Sequence, residues 1–406
     1  MAKQALLVAG VMYSPNLGDG IIYDCIRNYA RRIDKHKEVL AIDLAGRVGF
    51  REDSPSNIFT AHTTAALERY APRLAVALTK YTIKRKLQQG LLPVWRVQLA
   101  QSAGLLVGGG QLFADVRLSF PLRISALANE ADEHGMPIAI YGVGVSKHWT
   151  PEALQLFSRI LQSKNLRYLA VRGEDSKTNL SRHLRKLGLI SSEAIGVHPD
   201  PAVLASDTYG GSAPRQPSNN TRVGLCVTHP AVLRRHSDKK ACFGDQKLRE
   251  GYIALVRKLV DSGFEVVLFT NGEALDETFL RVIAALSSRI KDSEKIILRH
   301  RPQEPRVLVD TIAQCDVVIA HRLHANIVSF SYKRPYIGLT WDSKLEEFFT
   351  LTDRENYLCD GTLSEPSAII RKVNQAMSDP IRESIYDDVC EKARQGISCA
   401  ITAISA

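Results

Sequence analysis

Residues 316–326 read DVVIAHRLHAN, in which an apolar run is followed at once by Arg322 between His321 and His324. The run 317–320 is typical of a buried strand, and the residues after it follow helical spacing. The turn therefore places a cation and two imidazoles at the N-terminus of a helix, where the helix dipole disfavours positive charge. We infer that an anion joins these groups, because the cluster is unfavourable on its own.

The same order of short apolar run, turn and helix recurs along the chain. This pattern predicts parallel sheets that are covered by helices. The predicted strands are residues 4–12, 39–43, 104–107, 137–143, 168–171, 223–227, 265–270, 295–299, 317–320 and 336–339.

A stretch rich in Gly, Ser, Pro and Asn at residues 206–221 interrupts this pattern and predicts an interdomain linker. We therefore predict an N-terminal α/β domain over residues 1–205, a C-terminal α/β domain over residues 222–379 and a helical tail over residues 380–406. The predicted fold class is α/β, with two Rossmann-like doubly wound domains that face a cleft. Ligands of such sheets lie beyond the carboxyl ends of the strands, so we look for the site in the strand-to-helix turns.

The composition is that of an ordinary globular protein. Of the 406 residues, 45% are hydrophobic and 24% are charged, which excludes wholesale disorder. No apolar run reaches the roughly 20 residues of a membrane-spanning helix, and the first residues lack the features of a signal peptide, so we expect a cytoplasmic protein. The seven cysteines are scattered without a CxxC pair, which argues against a disulfide framework and a cysteine zinc site. No other metal-ligand spacing is visible.

The net charge of +10 predicts anionic partners. Nucleic acid is disfavoured, because the chain has neither a basic strand interleaved with aromatic residues nor zinc-finger spacing. Basic residues concentrate in one segment, before the apolar stretch 91–99, at Lys80, Lys84, Arg85 and Lys86. The segment is either a solvated basic helix or a contact with a membrane surface, and in the second case the protein lies peripherally at the inner face of the membrane.

Two strand ends rich in glycine are candidate ligand-binding turns. The turn at residues 14–20 holds Asn16, Gly18 and Asp19 before a helix, where the polar residues either bind a substrate or cap the helix. Three consecutive glycines at 108–110 indicate that a substrate or a neighbouring helix comes close to the backbone. Neither turn matches a Walker loop or a dinucleotide fingerprint.

Two more strand ends carry charged residues. Arg172 ends an apolar strand, where it either pairs with Glu174 or Asp175 or holds a phosphate or carboxylate. Asp342 and Lys344 follow the last predicted strand, and a surface ion pair is the simpler interpretation of these two.

Together these motifs resemble the polysaccharide pyruvyl transferase family, over about residues 5–350. The resemblance lies in the order and spacing of several short motifs. The matching positions are the NxGD turn at Asn16–Asp19, the glycine triplet at 108–110, Arg172 with Ser176, the DPA turn at 200–202, and a block running from Arg322 and His324 through Pro335 to Asp342 and Lys344.

Members of this family transfer pyruvate from phosphoenolpyruvate to two hydroxyls of one sugar, which forms a cyclic ketal and releases phosphate. The resemblance implies a GT-B-like pair of domains, with the acceptor on the N-terminal side and phosphoenolpyruvate on the C-terminal side. It implies that Arg172, His324 and Lys344 bind phosphoenolpyruvate, that Arg322 is a further anion ligand and that His324 is the general acid. No cofactor or metal is expected. The remaining expected substrate-binding residues are Asn16, Gly18, Asp19, Gly109 and Gly110.

The chain departs from the family pattern at Ser146–His148 and in the stretch 78–99, which has no motif counterpart. The identity of the acceptor, a sugar or a lipid-linked glycan, is therefore open at this point. Two other functions stay open as well. One is a GT-B glycosyltransferase that uses a sugar nucleotide, and the other is a non-catalytic protein that binds anions or a membrane surface.

Overall fold

The computed structural model describes residues 5–50, 71–189, 194–211, 220–237 and 243–405. Contacts divide the chain into two compact units. The first unit comprises Met1–Ser14, Ile22–Pro201 and Glu391–Ala406, and the second comprises Pro15–Ile21 and Ala202–Cys390.

These units and the predicted domains have different boundaries. The division falls after Pro201, ahead of the predicted linker at 206–221, of which residues 212–219 lie outside the described part of the chain. The predicted tail 380–406 is shared, because its residues from Glu391 onward belong to the first unit. A helical pattern does not show which sheet the helix will pack against. The sequence therefore does not predict that the end of the tail belongs to the first unit.

The first unit contains one parallel sheet of six strands in the order β2-β1-β3-β4-β5-β6. Its elements are β1 (Ala5–Gly10), α1 (Gly18–Ile33), β2 (Val39–Asp43), α2 (Pro72–Lys86), a π-helical turn (Leu87–Leu91), α3 (Leu92–Gln101), β3 (Ser102–Gly108), α4 (Ser119–Glu133), β4 (Ile138–Val143), α5 (Pro151–Leu161), β5 (Leu166–Val171), α6 (Glu174–Lys186) and β6 (Gly196–Val197).

The second unit contains another parallel sheet of six strands, in the order β12-β11-β10-β7-β8-β9. Its elements are a 3-10 turn (Pro201–Leu204), α7 (Ala205–Tyr209), β7 (Arg222–Cys226), α8 (Pro230–His236), α9 (Asp245–Asp261), β8 (Glu265–Phe269), α10 (Ala274–Ser287), a 3-10 turn (Ser293–Lys295), β9 (Ile296–Leu298), α11 (Pro305–Ala313), β10 (Val317–Ala320), α12 (Leu323–Ser331), β11 (Tyr336–Thr340), α13 (Ser343–Leu351), a 3-10 turn (Glu355–Tyr357), β12 (Leu358–Asp360), α14 (Pro366–Ser378) and α15 (Glu383–Ser405).

The predicted α/β fold class, with two Rossmann-like doubly wound sheets, is confirmed. Central strands such as β1, β4, β7 and β10 are buried along their whole length, which is why each reads as an unbroken apolar run. All ten predicted strands occur. The prediction missed β6 and β12, whose two and three residues are too short to show a pattern.

The strand orders locate the ligand-binding edge of each sheet. In the first sheet the order reverses between β1 and β3, and in the second between β7 and β10. The carboxyl ends of the two strands at such a reversal diverge into helices on opposite faces and leave a crevice. Within the second unit, the crevice lies beside the turn from β10 to α12, which carries Arg322 and His324. Among the helices that the structure describes, none has the length and apolarity to cross a membrane.

The last helix is held to the first unit by its small and aliphatic residues. Ala393, Ile397 and Ile404 are buried, and the hydroxyl of Tyr141 donates a hydrogen bond of 3.0 Å to the carbonyl of Ala393. Gly396 lies between these contacts. A Cβ atom at Gly396 would be 2.6 Å from ring atoms of both Tyr141 and His198.

We therefore expect Gly396→Ala to destabilise the protein, although alanine is the better helix former. The helical preference is worth about 1 kcal/mol, whereas forcing a methyl group into a packed core costs about 1–3 kcal/mol. Gly90→Ala is the matched control, because no heavy atom lies within 4 Å of its added methyl group. Thermal unfolding should give a lower midpoint for Gly396→Ala and an equal or higher midpoint for Gly90→Ala. A midpoint above that of the wild type for Gly396→Ala would contradict this packing.

Candidate functional site

Arg322 occupies the last position before α12 and pairs with a buried acid. Its Nε lies 2.9 Å from Oδ2 of Asp276, and its Nη2 also donates to that atom. Asp276 is fully buried and additionally accepts a hydrogen bond of 2.8 Å from the backbone N–H of His229. Burial opposes the charge of Arg322, but the adjacent carboxylate outweighs it and raises the pKa of the guanidinium. An anion does join this cluster, and it is a side chain of the protein.

His321 is fully buried, and both of its ring nitrogens are engaged. Nε2 donates to the carbonyl of Gly361 at 2.8 Å, and Nδ1 accepts from the hydroxyl of Tyr252 at 3.0 Å. The Tyr252 oxygen in turn accepts from the backbone N–H of Thr228 at 3.0 Å. Burial lowers the pKa of His321 to about 4. His321 is therefore a neutral residue that connects the turns after β7, β10 and β12.

His324 lies in the first turn of α12, is 7% exposed and borders the N-terminal segment Pro15–Ile21. A Cβ atom at Gly18 would be 2.1 Å from Nδ1 of His324, so only glycine fits beside the imidazole. The N–H of Leu17 donates to the carbonyl of Asn271 at 3.0 Å, which holds the segment against the turn after β8. Two predicted site motifs about 300 residues apart in sequence thus meet in the second unit.

The turn that holds Lys344 is tied to the same place. The indole N–H of Trp341 donates to the carbonyl of His321 at 2.6 Å. Nζ of Lys344 lies 3.5 Å from Oδ2 of Asp342, whose other oxygen caps α13 by accepting from the N–H of Leu345. The ion pair considered from the sequence is present, and the lysine remains one-third exposed.

In the turns after β7 and β8, two buried polar atoms have no hydrogen-bond partner in the described part of the chain. They are Oγ1 of Thr228, after β7, and Nδ2 of Asn271, after β8. Buried polar atoms are almost always hydrogen-bonded, so such atoms indicate a water or polar ligand. Nothing in the sequence pattern distinguishes these two residues.

Arg172 lies in the first unit, where it joins three strand ends. Its Nη2 donates to Oε1 of Gln111 at 2.9 Å, and its Nη1 lies 3.4 Å from Oδ2 of Asp200. Arg172 and Asp200 are both more than nine-tenths buried. The acid paired with Arg172 in the structure is Asp200, in the DPA turn, whereas the sequence analysis named Glu174 and Asp175 as the candidates. Gly144 completes the cluster, because a Cβ there would lie 2.3 Å from the Gln111 side chain.

The glycine triplet also lies in the first unit. Gly109 and Gly110 have φ angles of +80° and +71°, which favour glycine. A Cβ at Gly109 would lie 2.5 Å from Cγ2 of Ile22 on α1, so a neighbouring helix accounts for this residue. The carbonyl of Gly110 accepts from the N–H of Gly144 at 2.8 Å. Substrate binding by the triplet stays a prediction.

The predicted site residues thus fall into two groups. Gly18, Arg322, His324 and Lys344 belong to the second unit, together with Asn16 and Asp19, whereas Gly109, Gly110 and Arg172 belong to the first. The sequence analysis missed Asp276, Tyr252 and Gln111, because each acts through a contact far along the chain. Across the described residues, no group of three or more His, Cys, Asp or Glu side chains could hold a metal ion.

A family model described as polysaccharide pyruvyl transferase matches residues 16–343. No curated protein matches the chain. Three solved structures share the fold over almost the whole chain. A putative UDP-N-acetylglucosamine 2-epimerase from Listeria monocytogenes is 13% identical with a TM-score of 0.55, covering 99% of this chain and 97% of its own.

The second structure is a UDP-GlcNAc 2-epimerase from Methanocaldococcus jannaschii, which is 12% identical with a TM-score of 0.56 and covers 98% of this chain and 99% of its own. The third is a trehalose-6-phosphate synthase, 10% identical with a TM-score of 0.56, covering 98% of both chains. At these identities the likeness shows a GT-B-like fold alone.

The buried state of His321 predicts a pH dependence of stability. An unfolded histidine has a pKa near 6.5, whereas the folded value is about 4, so only the unfolded chain binds the proton between these values. Stability therefore falls as the pH falls through this window. From about pH 7 to about pH 5, this group should remove about 2 kcal/mol from the free energy of unfolding.

Urea denaturation at the two pH values would measure this loss. His321→Gln should lower the stability at neutral pH but lose less on acidification than the wild type, because the titrating group is gone. His300→Gln, at an exposed position of the same unit, is the control and should keep the wild-type dependence. An unchanged acid loss in His321→Gln would exclude this role of His321.

Proposed function

Because the chain belongs to the polysaccharide pyruvyl transferase family, an enzyme family, we propose that it transfers a pyruvyl group from phosphoenolpyruvate to two hydroxyls of one sugar. The product is a cyclic ketal on a glycan or glycan precursor, and phosphate is released. The observation that carries the proposal is the packing of Gly18 against His324. Two family motifs from opposite ends of the chain meet beside the strand reversal of the second sheet, where α/β proteins bind ligands.

The charges of the second unit suit a donor with a phosphate and a carboxylate. Asp276 compensates the charge of Arg322 but engages only its Nε and Nη2, so Nη1 still has N–H groups for an anion. Lys344 is one-third exposed, 3.5 Å from Asp342, and its ammonium group adds a further positive charge for the donor. The N-terminus of α12 adds a dipole that favours negative charge. We expect binding of the donor to depend more on these directed N–H groups than on the net positive charge of the unit.

His324 is the proposed general acid. Its imidazolium gives a proton to C3 of the donor, and C2 becomes an oxocarbenium-like electrophile. A sugar hydroxyl adds to C2 and returns its proton to the imidazole. The C–O bond to phosphate then breaks, phosphate leaves with the electron pair and takes up the proton of the second hydroxyl, and that hydroxyl closes the ketal. The burial of His324 keeps competing water away from the electrophile.

Only the family resemblance indicates that Arg172 also binds the donor. Within the first unit its contacts with Gln111 and Asp200 use two of five N–H groups and fix the plane of the guanidinium. This is the pre-organisation that binding a phosphate or carboxylate requires. The acceptor side of the proposal rests on the family, and a lipid-linked glycan is one acceptor class to be assayed.

Ligand-dependent stability tests the donor. Phosphoenolpyruvate at about 100 times its dissociation constant should stabilise the protein by about 2.7 kcal/mol, and thermal unfolding would show the rise. Addition of glycosides or lipid-linked sugars should then release phosphate. Stabilisation by a UDP-sugar together with none by phosphoenolpyruvate would replace this proposal with a glycosyltransferase.

Two variants test the site. His324→Asn should lower kcat by about 10²–10⁴, because the acid is lost, while His300→Asn should keep the wild-type rate. Gly18→Ala should also lower kcat, because its methyl group displaces the imidazole. In a His324→Gly background the same methyl group meets neither the ring nor the Cβ of residue 324, which would lie 2.7 Å away, so Gly18→Ala should cost little more there. Equal effects of Gly18→Ala in both backgrounds would show that the two positions act independently.

A further inference from the structure

One helical segment of the first unit has a buried side and an exposed apolar side. The helix α2, the π-helical turn and α3 follow one another without a break from Pro72 to Gln101. Ile83, Leu87, Trp95 and Leu99 pack into the core of the unit. The opposite side exposes five of the twelve exposed large hydrophobic residues in the described part of the chain, each 48–65% accessible, namely Leu74, Leu78, Tyr81, Val94 and Val97.

The apolar residues of α2 form a stripe that ends in basic side chains. Leu74, Leu78, Tyr81 and Arg85 are spaced by four, three and four residues, so they lie on one side of the helix. Lys84 and Lys86 flank Arg85 and are also exposed. We call Leu74, Leu78, Tyr81, Lys84, Arg85, Lys86, Val94 and Val97 the α2–α3 face.

The charge of this segment is entirely of one sign. Residues 71–101 contain six Lys and Arg and no Asp or Glu, so they contribute +6 to the net charge of +10. Two of the six are neutralised by acids of the same unit, because Lys80 pairs with Glu152 and Arg96 with Glu130. In the described part of the chain, no carboxylate lies within ion-pair distance of Lys84, Arg85 or Lys86.

Helix capping does not account for the basic triplet. Basic residues often stabilise the C-terminus of a helix, where carbonyl groups lack partners. Here the backbone stays helical beyond Lys86, and the N–H of Leu87 bonds to the carbonyls of Ile83 and Lys84. The helix dipole therefore does not end at the triplet, so the triplet does not act as a C-terminal cap.

We propose that the α2–α3 face docks the protein on an anionic phospholipid surface. Exposed aliphatic side chains and a tyrosine enter the headgroup boundary, while the basic triplet contacts the lipid phosphates. A second copy of this chain fits less well, because a two-fold interface pairs the face with itself and the face contains no acid to meet the basic triplet. Nucleic acid would use the triplet but would leave the exposed leucines and valines without a partner.

Vesicle sedimentation of the full chain tests this. We expect binding to phosphatidylcholine vesicles that contain about one-third phosphatidylglycerol, weak binding to pure phosphatidylcholine, and loss of binding as salt is raised. The triple variant Lys84→Glu, Arg85→Glu, Lys86→Glu should bind on the order of 100-fold more weakly, at roughly five-fold for each side chain. The matched control, Arg249→Glu, Arg257→Glu, Lys258→Glu, changes the net charge equally on the exposed side of α9 and should bind like the wild type.

The variant Leu78→Ser, Tyr81→Ser tests the apolar part separately. It should bind anionic vesicles more weakly while the salt dependence stays that of the wild type, because all basic residues remain. Equal binding to neutral and anionic vesicles, or an equal loss in the α9 control, would overturn the proposal. So would a wild-type dimer in sedimentation velocity that Leu78→Ser, Tyr81→Ser dissociates, since a second copy would then occupy the face. None of these outcomes depends on the donor chemistry.

Discussion

The space beside residue 18 is the constraint on which the candidate site depends. The imidazole of His324 occupies the volume that any side chain at Gly18 would need. The segment Pro15–Ile21 can therefore approach the turn after β10 only because it presents bare backbone there. The hydrogen bond from the N–H of Leu17 to the carbonyl of Asn271 fixes the position of this segment along the edge of the sheet. This close packing leaves His324 only 7% exposed, as the proposed transfer of a proton to a carbon atom requires.

Buried arginines in this protein are paired before any ligand arrives. Arg322 is bound to Asp276, and Arg172 to Asp200. A buried cation without such a partner would destabilise the fold by several kcal/mol. The acids therefore make the arginines tolerable in the folded state and also orient them. In the proposed function, recognition of a donor anion depends on the direction of the remaining N–H groups, because the paired acids compensate the charges of these two arginines.

The sequence could predict the fold because parallel strands are buried on both faces and read as unbroken apolar runs. It could also locate the turn after β10, since charged residues directly after such a run are conspicuous. It could not supply the partner acids. Asp276 and Asp200 look like ordinary helix-start and turn residues, and only the sheet topology brings them to Arg322 and Arg172. At Gly109 the structure shows the second of the two alternatives that the sequence left open, packing against a neighbouring helix, while substrate binding stays a prediction.

The two histidines of the turn after β10 lie three residues apart but have different surroundings. His321 precedes the helix and points into the sheet edge, where both nitrogens are used and burial keeps the ring neutral. Its carbonyl also accepts from Trp341, so it holds two turns in register. His324 lies three residues later, in the first turn of α12, beside Gly18, which has no side chain. The hydrogen bonds of His321 fix the end of β10, from which α12 and His324 start, so we expect the proposed role of His324 to depend on both histidines.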